Sequence, residues 1–183
     1  MIGWKKEAKE LNKLYNKNRA ELVAVYGRCH AGKKHLIDET FAGMFTFRHT
    51  GLSIADKDAK GILRMQLDHF YNSLIFFGME DSPKPDNWLD AFLLLELFLQ
   101  KIDDGSRQLV FLDELPWLDT PRSGFIRAFE GFWNNWGCHR KNLMVVVCGS
   151  DTSWMMNNLI NNHGGLYDRV TYAIELDSFT PNE

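Results

Sequence analysis

The sequence predicts an α/β protein: a three-layer α/β/α sandwich around a parallel five-stranded sheet. Three observations predict it. Five short runs are apolar along their whole length rather than alternating, the pattern of strands covered on both faces. Stretches with helical periodicity separate these runs. The first run ends in a glycine-rich turn that opens a helix. The chain has 183 residues, 45% hydrophobic and 25% charged, which suits one domain with a sizeable core and is too apolar for a disordered chain.

Trp4 to Asn16 reads as an amphipathic helix, with Trp4, Ala8, Leu11, Leu14 and Tyr15 along one stripe. Glu21 to Tyr26 (ELVAVY) is a buried strand running into Gly27. Lys33 to Thr40 reads as a helix, Met44 to Phe47 as a second strand, and Asp56 to Phe77 as a long helix. The polar, proline-containing segment Asp81 to Asp86 is a loop, with Asp86 placed to cap the helix Trp88 to Lys101. Gln108 to Leu112 (QLVFL) is the third strand and ends in Asp113-Glu114. Pro121 suits a first helical turn and opens a helix to about Trp136. Leu143 to Cys148 (LMVVVC) is the fourth strand, Ser153 to Ile160 a short helix, Gly164-Gly165 a turn and Thr171 to Leu176 the fifth strand. Trp117, Trp133, Trp136, Phe125, Phe129 and Phe132 recur at helical spacing and read as mostly core.

Composition narrows the function classes. Net charge is −3, from 21 Lys+Arg against 24 Asp+Glu, so no strongly basic balance argues for nucleic-acid binding through this segment, although a local patch stays open. Cys29, Cys138 and Cys148 are an odd number with no close pair, which fits a reducing, cytosolic compartment. Cys29-His30 and Cys138-His139 lack the CxxC or HxxxH spacing of metal sites. His49, His69 and His163 show no partner spacing. The first ten residues carry no apolar signal core, and the longest apolar run, Ala91 to Leu99, contains Glu96 and is too short to span a bilayer. A soluble intracellular protein, with no membrane partner, is expected.

Gly27-Arg28-Cys29-His30-Ala31-Gly32-Lys33-Lys34 follows the first strand and opens a helix. It fits GxxxxGK, the phosphate loop, up to its last position. The glycines let backbone N–H groups curl inward, the helix presents its positive end, and Lys33 bridges the outer phosphates. The pattern then wants a Ser or Thr hydroxyl on Mg²⁺, and Lys34 stands there instead. Lysine donates only and cannot coordinate a cation. Either other groups hold Mg²⁺, or Lys34 supplies the positive charge itself, or the site is degraded.

Leu109-Val110-Phe111-Leu112-Asp113-Glu114 places two carboxylates at the C-terminal edge of a central strand, where open α/β sheets bind ligands. Asp113 would hold the hydration shell of a Mg²⁺ ion, and Glu114 would orient and deprotonate an attacking water. Ser150, closing the strand LMVVVCGS, lies where a polar side chain senses a γ-phosphate, unless Gly149-Ser150 is merely a turn. Arg169 would reach a γ-phosphate in its own or a neighbouring subunit, or else sit on the surface paired with Asp168.

The segments ELVAVYGRCHAGKKHLIDETF, LVFLDELPWLD, VVVCGSDTSWM and NNHGGLYDRV together resemble the prokaryotic ATPase family of the AAA+ class, found mainly in archaea and Bacteroides-like bacteria. The likeness runs from the first helix to the SFTPNE tail. It implies the strand order 5-1-4-3-2 and makes residues 1–183 the ATPase domain. A helical lid, a winged-helix segment and often a nuclease-like domain would follow Glu183. It makes Gly27, Gly32 and Lys33 the phosphate-binding loop, with Arg28, Cys29, His30, Ala31 and Lys34 along it. Asp113 and Glu114 become the Walker B pair, Ser150 the sensor, and Arg169 an arginine the family usually shows. Lys34, His30 and Asp151 depart from the family pattern, and only Lys34 touches its chemistry. ATP or ADP and, in spite of Lys34, Mg²⁺ are the implied cofactors. A homo-oligomer is an implied partner, as is nucleic acid through C-terminal parts alone. Two readings of function follow: a slow ATPase or nucleotide-dependent switch coupled to a C-terminal region, or a nucleotide-binding module that no longer hydrolyses. GTP is disfavoured, because no NKxD-type motif follows the acidic strand.

Overall fold

The computed structural model describes residues 4–28, 32–54, 58–161 and 164–176. Five strands, β1 (Glu21–Gly27), β2 (Phe47–Thr50), β3 (Gln108–Asp113), β4 (Leu143–Gly149) and β5 (Tyr172–Leu176), form one sheet in the order β2-β3-β4-β1-β5. Every pairing is parallel. This is the expected order 5-1-4-3-2 read from its other edge. The helices are α1 (Lys5–Tyr15), α2 (Lys33–Thr40), α3 (Ala59–Phe76), α4 (Trp88–Lys101), α5 (Leu115–Leu118), α6 (Phe125–Asn135) and α7 (Thr152–Met155), the last running into a π-turn at Met156–Ile160.

Strand parity divides the core between two faces, since successive side chains point to opposite sides of a sheet. Val23 and Val25 of β1, Leu109 and Phe111 of β3, and Met144, Val146 and Cys148 of β4 pack with Leu11 and Leu14 of α1 and Leu36 and Ile37 of α2. Leu22, Ala24, Val110, Leu112, Val145 and Val147 face the other way, onto α3, α4 and α6. That second layer is aromatic: Phe92 stacks on Phe132 at 5.1 Å, and Trp88 meets Phe125 edge-on at 5.1 Å. Burying each such side chain contributes roughly 1.5–3 kcal/mol. Among the described residues no helix is long and apolar enough to cross a membrane.

The structure moves four expectations. The second strand forms at Phe47–Thr50 rather than Met44–Phe47. It is an edge strand with Phe47 and His49 buried and Arg48 and Thr50 half-buried, so its polar residues hid it. Pro121 opens no helix. It lies in a turn, and α6 begins at Phe125 after Gly124 in the left-handed region (φ 70°). The cap of α4 is Asn87, whose side chain accepts the Asp90 amide at 2.8 Å, while Asp86 pairs with Arg64. Trp117 belongs to the short helix α5 and is 41% exposed rather than core. Trp133, Phe125, Phe129 and Phe132 are buried as expected, and Trp136 is half-buried under the Arg140 guanidinium.

Candidate functional site at the carboxyl edge of the sheet

The C-terminal ends of β1, β3 and β4 lie side by side, because those strands pair in register: Val25 with Cys148, Phe111 with Val146. Each ends in a residue singled out from the sequence. β1 closes on Gly27, whose φ is +145° and where a Cβ would sit 2.1 Å from the Leu176 carbonyl oxygen. Only glycine lets β5 approach this closely as the chain turns toward Arg28. Cys29, His30 and Ala31 lie outside the described residues. The chain resumes at Gly32 (φ 99°), which caps α2.

Lys33 is the first residue of α2 and is buried. Its Nζ donates to the carbonyl of Gly27 at 3.0 Å and that of Arg28 at 2.7 Å, so the ammonium is folded back over the start of the loop. Two of its three donors are engaged there. Lys34 follows, exposed, with no hydrogen-bonded or ion-paired partner among the described residues.

Asp113 ends β3 and is also buried. One carboxylate oxygen accepts the Glu114 amide at 3.0 Å and the other faces the Thr50 hydroxyl at 3.4 Å. Burial, then the Glu114 carboxylate, pushes the Asp113 carboxyl above its ordinary range, and the charge of Lys34 pulls it back. Lys34 and Asp113 therefore feel one another across the site. Glu114 stands in the left-handed region, φ 52° and ψ 52°, an uncommon conformation for a non-glycine residue and a cost held by its surroundings. The hydroxyl of Ser150 donates to its carboxylate, and the Ser150 amide lies 3.3 Å from the same group. Ser150 is thus tied to the acidic pair rather than free in a turn.

Lys33, Lys34, Asp113, Glu114 and Ser150 converge on one edge. Arg169 is exposed in the turn before β5, and its guanidinium has no hydrogen-bonded or ion-paired partner among the described residues. The expected pairing with Asp168 is not formed; Asp168 itself has φ 57°. Two residues of the site escaped sequence reasoning. Thr50 reaches Asp113 from β2, and Gly51 donates its amide to the Asp113 carbonyl at 2.9 Å. A β-carbon on Gly51 would lie 2.8 Å from the Glu114 carbonyl oxygen. The His-Thr-Gly step ending β2 was the available signal, and misplacing that strand concealed it.

No protein-family model matches the chain, and no curated protein does. Solved structures do. The Walker-type ATPase PABY2304 of Pyrococcus abyssi aligns over 100% of this chain and 55% of its own, with 15% identity and a TM-score of 0.62. Cdc6p of Pyrobaculum aerophilum aligns over 99% of this chain and 47% of its own, with 11% identity and a TM-score of 0.63. The ORC2 protein of Aeropyrum pernix, solved as ADPNP–ADP complexes, aligns over 96% and 48%, with 18% identity and a TM-score of 0.56. The likeness is one of fold, and this chain spans about half the length of these three.

Proposed function

We propose that this chain is a nucleotide-binding domain of the AAA+ type that takes ATP or ADP at the carboxyl edge of its sheet. The observation that carries the reading is the convergence of Lys33, Asp113, Glu114 and Ser150 at the ends of three adjacent parallel strands. The phosphates would lie against the amides of residues 29–33 at the start of α2, with Lys33 swinging from the Gly27 and Arg28 carbonyls to the outer phosphates. Glu114 is the group that would orient water, and Ser150 the group that reports to it on the state of the terminal phosphate. The Ser150 hydroxyl engages the Glu114 carboxylate, which suits a switch with slow turnover. Arg169, exposed ahead of β5, would act on a nucleotide from its own or a second copy. A homo-oligomer, and nucleic acid through parts outside this chain, rest on the family resemblance, and a reducing, cytoplasmic setting rests on three cysteines with no close pair.

Calorimetric titration with ATP and ADP tests the reading. Lys33→Ala should weaken binding about tenfold or more, since a charge-assisted contact to phosphate contributes on the order of 1.5–3 kcal/mol. Equal affinity for the two proteins would remove the phosphate-loop assignment. Phosphate release that is slow and abolished by Glu114→Gln supports the switch. The second reading, a module that binds without hydrolysing, is favoured by Lys34, and release no faster than that of Glu114→Gln would select it.

A further inference from the structure

The resemblance brings an expectation of Mg²⁺, and the loop side of this site does not fit that ion. Magnesium takes oxygen ligands in a strict octahedron. From the loop side the oxygen would come from the residue after Lys33, and that residue is Lys34, with three N–H donors and no lone pair. From the sheet side, Asp113 keeps acceptor capacity, with one oxygen on the Glu114 amide and the other facing the Thr50 hydroxyl, so the misfit lies with Lys34. Glu114 is held by Ser150. A dication entering beside Lys34 also meets a like charge, which lowers its affinity.

Positive charge is what the loop side of the site supplies. Lys33 and Lys34 are consecutive at the start of α2, an eight-residue helix whose first turn carries no acidic residue. Lys34 acts on Asp113 only through its charge and forms no hydrogen bond or ion pair among the described residues, so its ammonium is available to an incoming anion. Ammonium is a compact point charge that serves phosphate well without bidentate geometry.

Resting on the phosphate-loop reading above, we propose that the site takes its nucleoside di- or triphosphate free of metal, the Lys34 ammonium standing where a divalent cation would otherwise neutralise the outer phosphates. The ligand class is therefore the uncomplexed nucleotide anion. Magnesium becomes a competitor that withdraws nucleotide from the site rather than a part of the site.

The test is titration of the 183-residue chain with ATP and ADP, each in EDTA and in excess Mg²⁺. The proteins are wild type, Lys34→Met and Lys34→Thr; Lys34 is exposed, so neither change disturbs the core. Wild type should bind as tightly in EDTA as in Mg²⁺, or more tightly. Lys34→Met should lose about tenfold in EDTA and regain nothing with Mg²⁺, whereas Lys34→Thr should lose as much in EDTA and recover with Mg²⁺. Wild type that binds tenfold or more tightly with Mg²⁺ overturns the proposal and leaves the phosphate-loop reading standing. An unchanged affinity of Lys34→Met in EDTA overturns it too. Absence of binding in both solutions overturns the phosphate-loop reading, and the proposal with it.

Discussion

His49 is a base buried as a neutral group. Its Nδ1 lies 2.7 Å from the Ser73 hydroxyl, and that hydroxyl is 3.2 Å from the His69 carbonyl. His49 Nδ1 and the Ser73 hydroxyl thus share a hydrogen bond, and Nε2 is buried with no hydrogen-bonded partner among the described residues. Burial, and then the charge of His69, whose ring is tilted against it at 4.7 Å, brings the His49 pKa down to about 3. The unfolded chain takes up a proton below about pH 6.5, and the folded chain refuses it until about 3, so this residue withdraws stability as pH falls through that window. By pH 5 the loss is about 2 kcal/mol. Asp113 acts with the opposite sign: its raised carboxyl pKa lets the folded state hold a proton that the unfolded state has shed, so its contribution falls as pH rises. Comparing wild type with His49→Phe isolates the histidine. Between pH 7 and pH 5, urea unfolding of wild type should lose about 2 kcal/mol more than the variant loses. Parallel pH profiles would show that His49 protonates in the folded state after all.

At the scale of elements, the closest contact beneath the site is β1 against β5. Gly27 has both a left-handed φ and a Leu176 carbonyl oxygen 2.1 Å from where a Cβ would stand. Gly78, at φ +111°, has the same conformational restriction and nothing within 4 Å of its Cβ position. Gly78→Ala should therefore cost about 1 kcal/mol of backbone strain. Gly27→Ala should cost at least about 2 kcal/mol more, because the carbonyl must move and β5 with it. Equal urea midpoints for the two variants would mean that β5 yields freely. The elements legible in the sequence were those whose burial is uniform: β1, β3 and β4 are buried along nearly their whole length, and their apolar runs declare it. β2 was displaced because an edge strand buries one face of Arg48, His49 and Thr50 by alternation too short to read. The helix α5 went unseen because four residues, one of them proline, carry no period. The cap of α4 fell on Asn87 rather than its neighbour Asp86, a choice between two good acceptors that only the Arg64 contact decides.

For the whole molecule, the candidate site was legible where chemistry demands a residue type at a strand end, as at Lys33, Asp113, Glu114 and Ser150. It was illegible where backbone placement alone recruits a residue, as at Thr50 and Gly51. The same placement makes the site a property of the sheet. Lys33 holds the carbonyls that end β1, Asp113 ends β3, and the group touching Glu114 follows β4. A ligand bound there spans the three strands at the centre of the order β2-β3-β4-β1-β5, and unfolding must release it. Binding to the folded state alone stabilises by RT ln(1 + [L]/Kd), about 2.7 kcal/mol at a hundredfold excess over Kd. In a domain of this length each kcal/mol moves the midpoint by about 2–4 °C. ATP at that excess should therefore raise the melting midpoint by roughly 5–10 °C, and Lys33→Ala at the same ATP concentration, binding about tenfold more weakly, should lose about half of the rise. Hydrogen exchange should slow in β1, β3 and β4 together rather than in one alone, because their edge closes as a unit. A midpoint unmoved by ATP in wild type, at concentrations where calorimetry records binding, would mean that nucleotide also binds the unfolded chain or rests on the surface away from these three strand ends.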